Sequence, residues 1–455
     1  MREYELHIDE ALKNGLNPDE TAPVNSQLLY ECLGFRCGKR GLEAFKPGEN
    51  PLPAVLNIHY SWPFPQFLCS ERYNFVIIRD GILDYIYTVS DDMLTFAWVA
   101  TVNISGLFEV ADFGEYAILT NGNIYIYWNT VTSSWNTSGA TATVPMMQTV
   151  CNLKGQMVGG GVLSAWYDCD ETFYIWSQIG SLNFTPTLDN EASYRRCPYG
   201  GEVYNIRRLG DNVVGYSSKG VTLLSPVSSP TTTYRFNELI DVGMCNKGAV
   251  NGTLNRHVYV GEDFSIREIT QEGVKGLGYV HKMLELEGED IVVNYDRINK
   301  DFYIGNSTKT FLLSPYGLTE VPQHPSAVWR VGKESMYLLP STIDDYSPLI
   351  VTEPFDMEYR GQKTIASIET DAYPVDLPEA GVDYVYDNED WVVGLYKPIN
   401  NIGSGAITVV GNSFRFRLRF GELFNGFRIG YMKVRYKMSD LRSIRGVYAP
   451  PLRGQ

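Results

Sequence analysis

Several residue patterns that mark enzymes and metal-binding proteins are missing from this sequence of 455 residues. Its five histidines occur singly, without the HxH or HxxxH spacing of paired metal ligands, so structural histidines are expected. The glycine triplet at 159–161 is not followed by Lys and Ser or Thr, which argues against a phosphate-binding loop. There is no G-x-S-x-G elbow and no D-x-D-x-D-G calcium loop. We therefore predict no catalytic residue, no metal site and no cofactor.

Long apolar runs and a regular cysteine framework are missing too. No apolar stretch approaches the roughly 18 residues of a membrane span, and the N-terminal MREYELHIDE lacks the apolar segment of a signal peptide. We expect a protein that stays in the cytoplasm in which it is made until it assembles. Seven cysteines at irregular spacing do not indicate disulfides, and Cys32 and Cys37 lack the second pair that a zinc site needs. Buried, reduced thiols are expected instead.

Aromatic and turn-forming residues are abundant, with 31 Tyr, 20 Phe, 8 Trp, 42 Gly and 23 Pro. This composition is typical of β-structure with many tight turns. Residues 107–128 are LFEVADFGEYAILTNGNIYIYW. They are rich in apolar, β-branched and aromatic residues, and Ile124, Ile126 and Trp128 alternate with Tyr125 and Tyr127, a period of two that predicts strands. Asn121 and Gly122 lie between two of these strands, and Asn-Gly is typical of a two-residue type I′ turn. The stretch therefore predicts a β-hairpin.

This hairpin recurs weakly along the chain. Residues 203–226, VYNIRRLGDNVVGYSSKGVTLLSP, repeat its order of strand, glycine-containing turn and strand. Looser echoes occur at 73–87, 256–269 and 301–314. Repeated hairpins that bury their apolar faces against each other are typical of a β-propeller. At about 40 to 45 residues for each four-stranded blade, the repeats predict an all-β fold with six or seven blades.

Three regions follow from changes in pattern along the chain. Residues 1–60 are rich in loop formers and predict an extended arm, with 27–35 as its best strand. The hairpin echoes place the β-propeller at 61–345, where 281–287 is the best candidate for a short helix. A new alternating pattern then predicts a C-terminal, β-sandwich-like domain at 346–455 that ends in a Pro-containing tail.

Charge is divided unevenly between these regions. The net charge is −15, but residues 401–455 alone carry +8 and the other 400 residues carry −23. In FRFRLRF (414–420) and MKVRYKM (432–438), apolar residues at even positions alternate with basic residues at odd positions. One face of each strand is then apolar core and the other a row of cations. The predicted docking face for an acidic neighbour comprises Arg415, Arg417, Arg419, Lys433, Arg435, Lys437, Arg442 and Arg445.

A cluster of acidic residues lies in the propeller region, at Glu285, Glu287, Glu289 and Asp290. We interpret it as a solvated edge or as an edge that faces the lumen of a ring. An acidic wall suits a channel that conducts DNA, because each phosphate that a protein neutralises adds salt-sensitive affinity and friction.

Several segments, in this order, resemble the β-propeller tail proteins of tailed bacteriophages, the group that includes the tail nozzle and packaged-DNA stabilisation proteins of short-tailed phages. Residues 31–45, ECLGFRCGKRGLEAF, are similar to the opening segment of that group. The stretch 174–186 resembles its recurrent W-S-x-I-G … F-x-P blade, and 291–319 resembles a segment near its last blades. Residues 363–442 are similar to its C-terminal β region.

The resemblance implies a structural virion protein rather than an enzyme. Such a protein forms a ring with copies of itself, often of six, below the portal and adaptor and beside other tail proteins. Double-stranded DNA passes through the ring at ejection, and the packaged DNA is retained until then. The implied location is the virion tail, after synthesis in the cytoplasm of the host.

The alternative function is a tail propeller that binds or hydrolyses host-surface polysaccharide. Asp168, Asp170 and Glu171 are the candidate carboxylates, beside the candidate aromatic platforms Trp166 and Trp176. The sialidase-type Asp-box is absent, and Asp170 and Glu171 lie where a hairpin turn is expected. Exposed turn carboxylates are therefore the preferred interpretation.

Overall fold

The structure, a computed structural model, has β-strands as almost all of its regular secondary structure, and its residues form two compact units. The first unit comprises residues 1–47, 310–322 and 343–455, and the second comprises 48–309 and 323–342. The described residues are 3–45, 62–70, 72–92, 95–103, 106–114, 116–129, 132–228, 232–325, 327–331, 334–338, 346–359, 361–372, 378–386, 390–421, 423 and 426–439.

The described N-terminal residues belong to the first unit and are not a separate arm. They form β1 (Glu3–His7), α1 (Ala11–Asn14), β2 (Leu29–Leu33), β3 (Phe35–Gly38) and β4 (Gly41–Ala44). β1 pairs antiparallel with the strand Met432–Met438, so that Glu3 lies opposite Lys437. The predicted boundary at residue 60 differs from the observed division. That prediction used local patterns, and pairing between the two ends of a chain leaves no local signal in the sequence.

Most of the second unit is a series of five four-stranded antiparallel sheets, each built from strands that are consecutive in sequence. This arrangement confirms the predicted all-β fold with propeller-like sheets. The strands are β5 (Gln66–Cys69), β6 (Asn74–Asp80), β7 (Leu83–Val89) and β8 (Phe96–Asn103); β9 (Glu109–Phe113), β10 (Tyr116–Thr120), β11 (Tyr125–Asn129) and β12 (Ser134–Ser138); β13 (Met147–Leu153), β14 (Gln156–Val162), β15 (Phe173–Trp176) and β16 (Ser193–Arg196); β17 (Val203–Leu209), β18 (Asn212–Ser217), β19 (Gly220–Ser228) and β20 (Thr232–Ile240); and β21 (Val250–Thr253), β22 (Arg256–Val260), β23 (Ile266–Thr270) and β24 (Gly273–Gly278).

Shorter elements follow in chain order. The second unit continues with α2 (Val280–Met283), a 3-10 turn (Leu284–Leu286), β25 (Val292–Asp296) and β26 (Asp301–Gly305). The helical turns confirm the short helix predicted at 281–287. The chain then supplies β27 (Thr310–Leu313) and β28 (Leu318–Val321) to the first unit, and β29 (Ala327–Val331) and β30 (Glu334–Leu338) to the second.

The C-terminal strands complete the first unit. They are β31 (Leu349–Thr352), β32 (Lys363–Thr370), β33 (Glu379–Val385), β34 (Lys397–Pro398), β35 (Ser404–Gly411), β36 (Ser413–Arg419), β37 (Arg428–Ile429) and β38 (Met432–Met438). One sheet has the order β1-β38-β32-β35, and a small sheet has the order β3-β4-β37. Within this unit a further run of paired strands has the order β27-β28-β2-β31-β36-β33-β34.

The repeat found in the sequence corresponds to the first three strands of a sheet. Residues 107–128 form β9, β10 and most of β11, and 203–226 form β17, β18 and most of β19. Gly114 and Gly210 occupy equivalent turns between the first two strands, with φ of 54° and 59°. Glycine adopts positive φ without the steric penalty of a Cβ, which explains why the repeat keeps glycine there.

The turn at Asn121 is not the predicted type I′ turn. Thr120 pairs with Tyr125, so four residues form the loop, and only Gly122 among them has a positive φ. The Asn121 side chain instead accepts hydrogen bonds from the main-chain N–H groups of Asn123 and Ile124, at 3.0 and 3.3 Å. Such a side-chain turn satisfies the loop backbone without positive φ at the first position.

The glycine triplet at 159–161 lies in β14, against the first strand of the next sheet. A Cβ on Gly160 would come within 2.6 Å of Val203 Cγ1, and one on Gly161 within 2.8 Å of the Val203 carbonyl oxygen. The triplet therefore allows two sheets to approach closely, as the predicted close approach of backbones requires. All seven residues of β14 are buried, which makes it one of the core strands of the unit.

Candidate interaction surface

The basic residues of β36 and β38 lie on one face of each strand, as their alternation predicts. The apolar residues at even positions of β36 are fully buried, whereas Arg415 and Arg417 are half-buried and Arg419 is exposed. On β38, Met432 and Val434 are also fully buried. Burial of each such side chain contributes about 1.5–3 kcal/mol, so the apolar face fixes which residues point outward.

The outward arginines of β36 contact carboxylates and an aromatic ring of the same unit. Arg417 Nη2 lies 2.9 Å from Asp383 Oδ1, and Arg419 forms an ion pair with Glu379. Both guanidinium groups also lie over the ring of Tyr396, at 4.5 and 4.3 Å from its centroid. The strand β33 and the segment that follows it therefore balance two of the three charges on β36.

The cations of β38 are paired with acidic residues on both neighbouring strands. Lys433 and Arg435 each lie 2.8 Å from a carboxylate oxygen of Glu369 on β32. They also lie 3.3 and 3.5 Å from Glu5 on β1. The hydrogen bond from Lys433 to Glu369 raises the pKa of the lysine. The positive charges of Lys433 and Arg435 are therefore neutralised by carboxylates of their own sheet.

The last cation of that row is paired in the same way. Lys437 Nζ lies 2.8 Å from Glu3 Oε1, and this hydrogen bond lowers the pKa of the glutamate. Arg442 and Arg445, which complete the predicted docking face, lie outside the described residues. Most of the positive charge counted on these two strands thus meets carboxylates that the sequence places far away. The docking face itself stays a prediction.

The acidic cluster in the second unit is only partly balanced. Glu285 pairs with Lys282 at 3.4 Å and with Lys309. Partial burial opposes its ionisation, but the hydrogen bond from Lys309 and the two positive charges outweigh burial, so the pKa of Glu285 is lowered. Glu289 accepts hydrogen bonds from the main chain and the hydroxyl of Ser307.

Glu287 and Asp290 differ from these two residues. Both are exposed, and neither carboxylate has a hydrogen bond or an ion pair with any described part of the chain. The main-chain oxygen of Asp290 accepts a hydrogen bond from Trp62 Nε1 at 2.7 Å. Two carboxylates of the predicted acidic edge are therefore open to solvent.

The tryptophans that would form a sugar-binding platform are buried. Trp166 is 8% exposed and belongs to the core that also contains Phe184, and Trp176 is 3% exposed and packs edge-on against Tyr234. A sugar ring stacks on an aromatic face that solvent can reach. These two side chains therefore stabilise the second unit and do not present such a face.

The nearby carboxylates lie in a turn, as the sequence predicts. Asp170 Oδ1 accepts hydrogen bonds from the main-chain N–H of Thr172 at 2.8 Å and from its hydroxyl at 2.5 Å. The hydroxyl bond is the main reason that the pKa of Asp170 is lowered. Asp168 and Glu171 are exposed beside it. A general acid needs a raised pKa, and Asp170 is shifted in the opposite direction.

Cysteines and histidines have structural surroundings. Cys32 and Cys37 are buried and not joined in a disulfide, and burial raises the pKa of Cys32. His257 is buried, with Tyr216 Oη donating to Nδ1 at 2.8 Å and Nε2 donating to the Arg208 carbonyl at 3.1 Å. Burial lowers the pKa of His257 to about 3, so the ring is neutral at physiological pH.

A buried polar cluster in the second unit was not foreseen from the sequence. Lys247 Nζ donates to the carbonyl oxygens of Leu107 and Gln148, both at 2.8 Å. Asn205 Nδ2 donates to Glu109 at 2.6 Å and also contacts the Lys247 carbonyl at 3.4 Å. Burial lowers the pKa of Lys247 to about 8. Its position in an Asn-Lys-Gly turn gives no sequence signal, since exposed lysines also occupy such turns.

Comparisons with known proteins give no family for this chain. No protein-family description matches the sequence, and no curated protein matches it either. One similar solved structure is the complex of KlAtg21 with the coiled-coil of AgAtg16, at 8% identity, covering 56% of this chain and 83% of that chain, with a TM-score of 0.35.

The described residues contain no group of three or more His, Cys, Asp or Glu side chains that could hold a metal ion. In the same part of the chain, no helix is both long and apolar enough to cross a membrane.

Proposed function

We propose that this chain is a structural protein of a phage tail that assembles into a ring with copies of itself. The ring extends the DNA channel below a portal and adaptor, retains packaged DNA, and lets the DNA pass at ejection. Its role is mechanical and electrostatic, not catalytic. The observation that carries this proposal is the series of antiparallel sheets in one unit, joined in the same chain to a second β unit with charged strands.

We further propose that the second unit is a closed, seven-bladed propeller. The first strand of each sheet lies beside the first strand of the next. In the last hairpin, β29–β30, the first strand lies beside β5, the first strand of the series. The order of these neighbours is β5, β9, β13, β17, β21, β25, β29 and again β5. A closed propeller packs each blade against its two neighbours around a common axis, which suits a rigid platform in an assembly.

The resemblance to phage tail proteins rests on residues that build these sheets. Tyr174 and Trp176, in the stretch 174–186 that carries the W-S-x-I-G motif, lie in β15 and are buried. Residues 31–45 supply β3 and β4 and part of β2. The segments that carry the resemblance are therefore parts of the framework, which supports an inference about architecture and assembly.

Charge supports passage of DNA rather than its capture. Residues 1–400 carry a net charge of −23. A wall of this sign forms few phosphate contacts, and phosphate contacts dominate affinity for DNA. In the proposed ring, acidic residues of the propeller line the lumen and the partners are other copies, the adaptor and further tail proteins.

The polysaccharide alternative is not favoured by any contact in the described chain. Its two tryptophan platforms are buried, and the pKa of Asp170 is lowered. We therefore propose that the acids around Asp170 form an exposed turn.

The first experiment is a measurement of mass and shape. Purified protein is examined by light scattering and by imaging of negatively stained particles, alone and with tail extracts that contain an adaptor. Rings with a central hole are the expected result. A monomer under every condition, combined with polysaccharide cleavage that Asp170→Asn abolishes, would overturn the proposal.

A further inference from the structure

One arginine of β36 is held between two aromatic rings. The Arg415 guanidinium carbon lies 4.2 Å from the centroid of the Tyr30 ring and 4.5 Å from the centroid of Trp391. Contacts of this kind attract a cation to the ring face and fix the plane of the guanidinium group. We call Tyr30, Trp391 and Arg415 the arginine clamp.

Arg415 differs from its neighbours because no carboxylate within the described part of the chain pairs with it. Its cross-strand neighbour is Asp383, but that carboxylate bonds Arg417 and the main-chain N–H of Gly394. Arg415 Nε is buried without a hydrogen-bond partner. The two terminal nitrogens also have no partner among the described residues, so in that part of the chain the fork of the guanidinium group has no acceptor of its own.

Exposed apolar side chains adjoin the clamp in sequence. Val392 and Val393, directly after Trp391, are 42% and 69% exposed, and Leu395 is 86% exposed. Tyr30 itself is 45% exposed. Exposed apolar and aromatic residues together with an arginine are typical of a protein interaction site, where aromatic residues and arginine dominate the binding energy.

The acidic cluster of the second unit has the complementary chemistry. Glu287 and Asp290 are its two solvent-open carboxylates, as described above. Val280 and Leu284, on the short helical turns just before them, are 39% and 46% exposed. This segment therefore offers carboxylates beside apolar side chains, and the clamp offers a cation beside apolar side chains.

We propose that the arginine clamp of one copy binds the acidic segment 280–290 of a neighbouring copy, with Glu287 as the carboxylate that Arg415 receives. This inference rests on the proposed ring and names its contact. The two patches differ, so the contact is heterologous, and a heterologous contact generates a ring when its rotation closes. Charge complementarity of this kind sets register and partner choice.

The test is a charge exchange between copies. Arg415→Glu and Glu287→Arg are purified separately, and the mass of each is measured over a range of concentrations by sedimentation and light scattering. Each single variant places like charges at the contact, so we expect self-association at least about tenfold weaker than in the unmodified protein. An equimolar mixture restores opposite charges at every contact of an alternating ring, because the two substituted side chains meet at one contact and the native pair, Arg415 and Glu287, meets at the next.

Two controls separate this contact from other causes. Arg428→Glu alters an exposed arginine that pairs with Glu43 at 3.1 Å, and it should leave the mass unchanged. Arg415→Lys keeps the charge but loses the planar fork, and it should weaken association less than Arg415→Glu. Circular dichroism of each variant verifies that the fold is retained, and rescue by mixing is independent of small losses in stability.

Each outcome has a definite meaning. Rings from the unmodified protein, loss in both single variants and recovery in the mixture support the contact. Rings that persist in Arg415→Glu, or a mixture that fails to recover, overturn the contact and leave the proposed ring intact. An unmodified protein that never associates overturns the contact together with the proposed ring.

Discussion

Replacing Lys247 by methionine tests whether the buried polar cluster holds the second unit together. Methionine has a similar length but cannot donate to the carbonyl oxygens of Leu107 and Gln148, which the lysine contacts at 2.8 Å. Each carbonyl left without a donor destabilises the fold by about 1–3 kcal/mol. The loss is partly offset at neutral pH, because the substitution also removes a charge that burial disfavours.

The pH dependence separates these two effects. Burial lowers the pKa of Lys247 from 10.5 to about 8, so between these values the unfolded chain binds a proton that the folded chain does not. The free energy of unfolding then rises with pH by up to about 1.4 kcal/mol per pH unit through this residue. The free energy of unfolding of the variant lacks this rise with pH, because methionine does not titrate. We therefore expect Lys247→Met to be more destabilising at pH 9.5 than at pH 7.5, by up to about 2 kcal/mol.

Urea unfolding followed by tryptophan emission measures this difference. Seven of the eight tryptophans belong to the second unit, so the signal reports mainly on that unit. Other groups that titrate above pH 8 are common to both proteins and cancel in the comparison. Lys154→Met is the matched control, since Lys154 is exposed and paired with Asp211 at 3.0 Å. An equal effect of Lys247→Met at both pH values would refute the reasoning.

Three further predictions concern stability and are measured by the same unfolding assay. Asp84→Asn should destabilise by about 3–5 kcal/mol, because Asp84 is fully buried and paired with Arg79 at 2.7 Å; a loss under 1 kcal/mol would contradict this. Gly243→Ala places a Cβ 2.1 Å from a carbonyl oxygen and should destabilise, whereas Gly276→Ala meets nothing within 4 Å and serves as the control. His257 has a pKa of about 3 in the fold, so stability should fall as pH drops below 6.5, by up to about 1.4 kcal/mol per pH unit; His257→Gln should remove this slope.

The repeated sheets were accessible from the sequence because their signals are local. Alternation and turn glycines specify each hairpin, and Gly114 and Gly210 occupy the turns that the repeat predicts. The turn at Asn121 was predicted wrongly because Asn can satisfy a loop in two ways, by positive φ or by its side-chain oxygen. The length of the loop decides between these two ways, and that length is set by which residues pair across the strands.

Contacts between distant residues account for what could not be foreseen. The partner of β1 lies at the other end of the chain, and Lys247 bonds carbonyl groups that precede it by 140 and 99 residues. The alternation of β36 did predict which arginines point outward. It gave no sign that Arg417 and Arg419 are paired while Arg415 is held between rings, because those partners come from other strands and loops.

The pairing of β1 with β38 shows what opposite charge does in this protein. In β1, EYELH, Glu3 and Glu5 lie opposite Lys437 and Arg435, while Leu6 lies opposite Val434. Exposed ion pairs of this kind contribute little stability, about 0–1 kcal/mol each. They do oppose a slip by one residue, which would turn the glutamates to the buried face and separate them from the cations. The cations of β38 are thus engaged in setting register within one sheet. A cation that binds another molecule must not already be paired with a carboxylate of its own chain. On β36 and β38, Arg415 is the cation that has no such carboxylate partner among the described residues.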